Sequence, residues 1–275
     1  WMSDIAQIGV FKEDSQGILA RFVAEADIIF SIDFNQINRL DRLTDTVQAN
    51  TTAIRVLIDH HLHPPLDEYT LHFSDTHACS TSYIVYQLIT ALAGSEALTK
   101  AMAESLYVGI MTDTGNFAYS NLDADLFRAV AALIDRGVSV PYIYSAVYNN
   151  FSEGRMRLMG YMLNDKMVTD YEFGVAYVSL TEEEMRRFDF IQGDSEGFVN
   201  YPLSIRGIRM SAMFIQTKHS IRVSLRSRGE VDVNVFARRY FDGGGHRNAA
   251  GGKSYVPMNE TLENFRKYLR EYFGA

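Results

Sequence analysis

Two short hydrophobic runs in the first part of the chain both end at or next to an aspartate. Residues 26–34 (ADIIFSIDF) and 54–59 (IRVLID) are dense in isoleucine, valine and phenylalanine, which predicts two buried strands. Patterns with helical spacing occur at residues 38–49, 80–94, 97–110 and 124–136. This alternation of strands and helices predicts an α/β domain with a parallel sheet.

The pattern changes in the second half of the chain. Residues 152–165 have helical spacing and are predicted to link two domains, which gives a first domain at 1–165 and a second at 166–275. Extended strands are predicted at residues 173–180, 210–216 and 220–228. A final amphipathic helix is predicted to begin after an N-cap at Asn259. The second, smaller domain is therefore expected to be a mixed α/β unit.

Acidic and imidazole side chains stand where the two predicted parallel strands end. Asp33 ends the first run, Asp59 ends the second, and His60 and His61 follow directly. Parallel strands present their carboxyl ends at one edge of a sheet. Asp113, in a predicted loop with the sequence MTDTGN, offers one more carboxylate. Carboxylate and imidazole ligands from separate elements are typical of hydrolytic metal sites.

A purely structural role explains some of these acidic and imidazole residues better than others. Asp33 alone could cap a helix, and Asp113 alone could begin a turn. The adjacent Asp-His-His triplet has no evident packing role, because buried charged groups are costly without partners. The triplet therefore favours a divalent-metal site.

A glycine-rich segment in the second domain offers a different chemistry. Gly243, Gly244 and Gly245 allow close approach of the backbone to a ligand, and their N–H groups can bind an anion. His246 and Arg247 add hydrogen-bond donors. The segment lacks the spacing of a Walker phosphate-binding loop.

A run of alternating basic residues precedes the glycine-rich segment. In RVSLRSR, the period of two places Arg222, Ser224, Arg226 and Arg228 on one face of a strand. Such a face either stays solvated and discourages aggregation or binds phosphate through guanidinium groups. The nearby glycine-rich segment favours phosphate binding.

Composition and charge exclude several classes of protein. The net charge is −8, which argues against a broad basic surface for long or duplex nucleic acid. Residues 1–169 contain 11 basic against 20 acidic residues, so an anionic substrate there would need metal ions. No apolar run reaches the roughly 18 residues of a membrane span. The single cysteine, Cys79, fits a cytoplasmic protein.

Taken together, the motifs resemble those of the DHH phosphoesterase family with its DHH-associated C-terminal domain. The segments SIDFNQINR, LIDHH, GIMTDTGNF, VSLRSRG and GGGHRNAAGG occur in that family's order. The most similar branch is the bifunctional nanoRNase and pAp phosphatase type. The resemblance implies two domains with a cleft between them and two metal ions, usually Mn²⁺ with Mg²⁺ as the alternative. The implied substrates are very short RNA oligonucleotides and 3′-phosphoadenosine 5′-phosphate (pAp).

The resemblance also implies a role for each motif residue. Asp33 is expected to bridge the metals, and His60 and Asp113 to ligate the second one. Asp59 is expected to support the site while His61 faces the scissile phosphate. The residues expected to hold the phosphate or nucleotide are Arg226, Gly243, Gly244, Gly245 and His246.

One family motif does not occur before Asp33. That motif, H-x-N-P-D-G-D, supplies further metal ligands, so this chain keeps only part of the ligand set. We expect an upstream segment that completes it. The alternatives are a degenerate, non-catalytic nucleotide-binding member and a phosphodiesterase for pApA or cyclic dinucleotides. Whether the protein forms a homodimer is left open.

Overall fold

The computed structural model describes residues 8–11, 14–119 and 121–274, which form two compact units. The first extends to Asn149 and the second begins at Asn150. The helix expected to link the domains belongs to the second unit, where Leu158 and Met162 pack against Val178 of its sheet. The domain boundary at residue 165 stays a prediction.

A three-stranded parallel sheet forms the centre of the first unit. The strands are β1 (Ile28–Ile32), β2 (Ile54–Asp59) and β3 (Leu71–Ser74), in that order across the sheet. The helices are α1 (Ile18–Ala24), α2 (Thr44–Ala49), α3 (Thr81–Ala93), α4 (Lys100–Asp113), α5 (Ala124–Asp135) and α6 (Val140–Tyr148). The predicted parallel α/β architecture is confirmed.

The central strand β2 is covered on both faces. Val56 and Ile58 pack against Ile84 of α3, and Leu57 packs on the opposite side with Val47 of α2. The sequence of a strand that is buried on both faces is continuously apolar, rather than alternating between apolar and polar residues. The hydrophobic sequence of residues 54–59 therefore has a direct structural cause.

The edge strand β1 is less buried than its sequence predicts. Ile28, Phe30 and Ile32 are 49%, 56% and 48% exposed, whereas Ser31 between them is buried. The prediction of a strand is correct, but the prediction of a buried one is wrong. In the described part of the chain, the cluster around α3 covers Val56 and Ile58 of β2 and does not include β1.

Helix α4 extends further than predicted and changes the setting of Asp113. Leu106 and Ile110 anchor α4 in a core shared with Leu126 of α5. The backbone N–H of Thr114 still donates to the Ile110 carbonyl, so helical bonding continues through Asp113. The prediction that Asp113 lies in a loop is wrong, because it is the last residue of α4.

The second unit is a mixed α/β unit, as predicted, and is built around a six-stranded mixed sheet. Its strands are β4 (Val168–Asp170), β5 (Val175–Leu180), β6 (Met210–Gln216), β7 (Ile221–Ser227), β8 (Gly244–His246) and β9 (Ala249–Ser254). The order is β4-β5-β6-β7-β9-β8, and only β5 and β6 are parallel. The helices are α7 (Glu153–Tyr161), α8 (Glu182–Arg186), α9 (Val233–Tyr240) and α10 (Met258–Phe273).

The two faces of this sheet have different neighbours. Val223 and Leu225 of β7 pack with Phe236 of α9 and Phe265 of α10. Because side chains alternate along a strand, Arg222, Ser224 and Arg226 lie on the opposite face. Arg228 lies beyond the end of β7.

The start of the last helix differs from the prediction. Helix α10 begins at Met258 after Pro257, so Asn259 lies inside the helix and is not its N-cap. Pro257 does not cap α10 through a side-chain hydrogen bond.

Glu184 joins three elements of the second unit through its carboxylate. One oxygen accepts from the Thr181 backbone N–H (2.8 Å) and hydroxyl (3.0 Å), and the other accepts from Tyr161 (2.7 Å) and Lys166 (2.5 Å). Burial alone would raise the pKa of Glu184. The hydrogen bonds from Lys166, Thr181 and Tyr161 outweigh burial and lower the pKa from 4.5 to about 2.

We expect Glu184→Gln to destabilise the second unit in a pH-dependent way. The folded pKa lies below the ordinary value, so the ionised carboxylate stabilises fully above pH 4.5 and loses its effect as the pH falls towards about 2. The loss in unfolding free energy, measured by urea denaturation, should be largest near pH 7 and shrink by pH 3. The control is Glu183→Gln, an exposed neighbour in α8. Equal effects of both variants at every pH would contradict the prediction.

Candidate metal centre

Asp33, His60 and Asp113 bring their ligand atoms together in the first unit. The Nε2 atom of His60 lies 3.8 Å from Oδ1 of Asp33 and 3.9 Å from Oδ2 of Asp113. All three ligand atoms lie within 4.8 Å of one another. The residues come from the end of β1, the end of β2 and the end of α4. Three segments far apart in sequence therefore converge at one place.

Asp33 is held in its position by the backbone and by one side chain. Its N–H donates to the Ile58 carbonyl at 3.1 Å, and its φ of 64° turns the chain sharply after β1. The hydroxyl of Thr81, the first residue of α3, donates to Asp33 Oδ1 at 2.8 Å. Sequence reasoning missed Thr81, although its place beside the N-cap Ser80 marks a helix start.

His60 presents Nε2 to the two carboxylates because its other ring nitrogen has a backbone contact. Its Nδ1 lies 3.2 Å from the carbonyl oxygen of Ala78. That contact favours the tautomer with the proton on Nδ1, which leaves the Nε2 lone pair for a cation. A backbone carbonyl is a common second partner of metal-binding histidines.

The buried Asp59 and the partly buried His61 form a pair beside these candidate ligands. Asp59 is fully buried, and its two oxygens accept from the His61 backbone N–H at 3.0 Å and from His61 Nδ1 at 2.7 Å. The ring of His61 stands nearly perpendicular to that of His60, with centroids 5.0 Å apart. Asp59 therefore fixes both the backbone and the ring of His61.

The electrostatics of the cluster suit a cation. Burial raises the pKa of the Asp113 carboxyl above its ordinary value, and the negative charge of Asp33 raises it further, against the opposing effect of His60 and His61. A cation among these groups would offset the repulsion between the carboxylates. Carboxylate oxygens with imidazole nitrogen form a donor set that suits Mn²⁺ and similar divalent ions. The residues present therefore fit a divalent metal.

Asp33 belongs to a second candidate group in the same unit. Ligand atoms of Asp33, Asp59 and His61 also lie within 4.8 Å of one another. A carboxylate shared by two groups is what a bridging ligand requires. The bridging role of Asp33 stays a prediction that this arrangement supports.

In the second unit, Arg226 and His246 lie in one row across the sheet. Arg226 of β7 pairs with Ala249 of β9, and Ala249 pairs in turn with His246 of β8. Residues directly opposite in antiparallel strands point to the same face. Arg226 and His246 therefore flank Ala249 on one face of the sheet.

Two of the three consecutive glycines are required by the strand pairing itself. A Cβ atom on Gly243 would lie 2.0 Å from the Gly251 carbonyl oxygen, and one on Gly245 would lie 2.5 Å from the Ala249 oxygen. Gly245 also has a φ of 150°, whereas a Cβ on Gly244 would meet its nearest atom only at 3.5 Å. The close approach that the sequence predicts is therefore first of all an approach to β9.

An asparagine missed by sequence reasoning holds this hairpin. The Oδ1 atom of Asn234 in α9 accepts from the Gly245 N–H at 2.9 Å and from Arg238 Nε at 3.1 Å. Asn234 is almost fully buried. No short motif marks this residue, because its partner lies 11 positions away on another element.

Comparisons with known proteins match both units. The family model of the DHH family, N-terminal domain, matches residues 2–110, and that of the DHHA1 domain matches residues 171–275. A crystal structure of an exopolyphosphatase-related protein from Bacteroides fragilis superposes with a TM-score of 0.92 at 38% identity. The match covers 99% of this chain and 79% of that one. The chain belongs to the DHH family.

Curated relatives of this DHH family chain carry a functional name. The bifunctional oligoribonuclease and PAP phosphatase NrnA of Bacillus subtilis is 32% identical over 205 residues, 72% of this chain and 62% of that protein. The protein of the same name from Thermus thermophilus is 31% identical over 215 residues, 78% of this chain and 63% of that protein. The chain thus spans less than two thirds of the length of these relatives.

The predicted site residues fall in or near the two matched regions. Asp33, His60 and His61 lie in the DHH region, and Asp113 lies three residues beyond its end. Arg226 and His246 lie in the DHHA1 region. Among the described residues, no helix combines the length and the apolar character needed to cross a membrane.

We expect Thr81→Val to weaken divalent-cation binding by roughly 10- to 100-fold, as is typical when the partner of a metal ligand is lost. The change removes the hydroxyl that orients Asp33. The control is Thr90→Val in the same helix, whose hydroxyl bonds only to backbone carbonyls of α3. Titration calorimetry with Mn²⁺ measures the affinities. Equal affinities for both variants and the unchanged protein would contradict the role of Thr81.

Gly243→Ala and Gly244→Ala should differ in stability. The first places a methyl group against the Gly251 carbonyl and should cost about 1–3 kcal/mol of unfolding free energy. The second meets only ordinary contacts and should change stability by about 0.5 kcal/mol or less. Urea denaturation gives both values. A Gly244→Ala loss as large as that of Gly243→Ala would show that the hairpin packs differently.

Proposed function

We propose that this chain is part of a metal-dependent phosphoesterase that hydrolyses very short oligoribonucleotides to mononucleotides and pAp to AMP. The observation that carries the proposal is the convergence of ligand atoms of Asp33, His60 and Asp113 within 4.8 Å. The names of the NrnA relatives support the substrate class. We further propose Mn²⁺ as the ion and the cytoplasm as the location; the sequence leaves open whether the protein forms a homodimer.

In the first unit, some side chains would bind the metal ion and others would contact the reacting phosphate. When bound, a divalent cation lowers the pKa of water and withdraws charge from phosphate oxygens. Asp33 and Asp113 would hold it through oxygen and His60 through Nε2. His61, whose Nδ1 is held by the buried carboxylate of Asp59, would in its doubly protonated form donate from Nε2 to a phosphate oxygen as negative charge develops there.

The second unit would hold the rest of the nucleotide. Opposed Cα atoms in antiparallel strands are about 5 Å apart, so the Cα atoms of Arg226 and His246 lie roughly 10 Å apart across Ala249. A guanidinium and an imidazole on one face of the sheet supply hydrogen-bond donors for a phosphate group. The next row on this face consists of Ser224, Gly251 and Gly244. The small serine side chain and the two glycines, which have none, leave room for a ligand.

Asp113→Asn tests the proposal most directly. It should lower Mn²⁺-dependent turnover of a dinucleotide and of pAp by more than about 100-fold. Loss of a residue that only supports a metal ligand typically lowers activity by up to about 100-fold, and loss of a ligand itself should cost more. The assay uses the protein expressed from its complete reading frame and follows mononucleotide and phosphate release. Asp135→Asn is the matched control, because Asp135 is likewise the last residue of a helix but lies exposed in α5.

Three results would contradict the proposal in whole or in part. Unchanged turnover in Asp113→Asn would remove Asp113 from the metal centre. Binding of Mn²⁺ and nucleotide without hydrolysis by the unchanged protein would support a non-catalytic nucleotide-binding chain. Hydrolysis of pApA or a cyclic dinucleotide in strong preference to other short RNA and pAp would favour the alternative phosphodiesterase.

A further inference from the structure

A second candidate binding site lies in the second unit, away from the row of Arg226 and His246. A cavity of about 440 Å³ opens at the β6–β7 turn, beside α8 and residues 190–193. Pockets for small-molecule ligands typically measure about 300–1,000 Å³, so this cavity is within the range for a small ligand. Arg222, on the strand face that the sequence relates to phosphate binding, lines this cavity, whereas the residues of the metal centre and the row of Arg226 and His246 do not.

The floor of this cavity is apolar. Ile215 of β6 and Met185 of α8 are both buried, and the partly buried ring of Phe190 completes the floor. An apolar floor with an aromatic ring suits a flat body such as a nucleobase, since bases stack on aromatic side chains.

The rim of the cavity carries an excess of positive charge. Arg186, Lys218 and Arg222 line it against a single acidic residue, Glu182. Within the described residues, none of these three cations forms a salt bridge. Three available cations around an apolar floor favour an anion with an apolar body.

Strand pairing adds a fourth cation next to the rim. Arg222 of β7 lies directly opposite Lys253 of β9, and both side chains are exposed. Like charges directly opposite each other destabilise an antiparallel pair. A bound anion would offset that repulsion.

The cavity wall is fixed before any ligand arrives. Arg222 donates through Nη2 to the buried hydroxyl of Ser195 at 2.9 Å, which holds the guanidinium beside the cavity. The segment that carries Ser195 is held by Arg155, which donates to the carbonyls of Asp194 and Glu196 and stacks over Phe151. Such pre-organisation reduces the entropy cost of binding.

We propose that this cavity binds a nucleoside monophosphate, with the base on the floor at Phe190 and the phosphate at Arg186, Lys218 and Arg222. The site is separate from the proposed substrate row. Arg222 and Arg226 are four residues apart on β7, which corresponds to roughly 13 Å. The proposal does not depend on hydrolysis, and its test uses no metal.

The test is titration calorimetry with AMP in the presence of EDTA. The parent protein carries Arg226→Met and His246→Ala, which removes both charged or polar side chains of the proposed substrate row. We expect this parent to bind AMP, and adenosine or inorganic phosphate more weakly. Adding Arg186→Ala and Lys218→Ala should weaken AMP binding by about tenfold or more, because two charge-assisted contacts are lost.

A neighbouring arginine provides the matched control. Arg187 follows Arg186 directly, is exposed and lies over Tyr161 rather than along the cavity. Arg187→Ala in the same parent should leave AMP affinity unchanged, and urea denaturation checks that every variant is folded. No AMP binding by the folded parent would overturn the proposal. Equal losses in the Arg187 and Arg186/Lys218 variants, or phosphate binding as tight as AMP binding, would overturn it as well.

Discussion

A fully buried carboxylate must have its charge compensated by hydrogen bonds or by a cation, and Asp59 imposes this constraint on the candidate centre. Both oxygens of Asp59 accept from His61, one from the backbone and one from the ring. The Asp59 carbonyl in turn accepts from the Asp75 N–H at 3.1 Å. Asp59 thus ties the end of β2 to the chain after β3 and sets the direction of His61. The neighbouring His60 then presents Nε2 to Asp33 and Asp113.

The second unit meets a different constraint, which is backbone approach. The β8–β9 hairpin requires no side chain at Gly243 and Gly245, because the β9 backbone occupies that space. The amide of Asn234 bonds to the Gly245 N–H and stabilises the result. The row of Arg226, Ala249 and His246 follows from this pairing register. A shift of one residue between β7 and the β8–β9 hairpin would move Arg226 away from Ala249, while His246 stays opposite Ala249, and would break the row.

Sequence patterns predicted the elements of this fold better than their surroundings. The apolar run at residues 54–59 and the period of two in β7 are local properties, so they predict strands and faces correctly. The exposure of Phe30 and the helical position of Asp113 depend on which elements pack nearby. Local sequence patterns do not determine those tertiary neighbours. Thr81 was missed for the same reason, since its partner Asp33 lies 48 positions away.

Arg222 and Arg226 illustrate the limit of a periodic pattern. Both occupy the same face of one strand and are equivalent by spacing, yet burial lowers the pKa of Arg226 whereas Arg222 is exposed beside a cavity. Their hydrogen-bond partners also differ, because Arg222 donates to the Ser195 hydroxyl whereas Arg226 donates to the Leu225 carbonyl. A lowered pKa still leaves a guanidinium charged at neutral pH, so both arginines remain able to bind anions. One strand can therefore present two anion sites of different character, because neighbouring elements, not the alternation itself, decide the environment of each side chain.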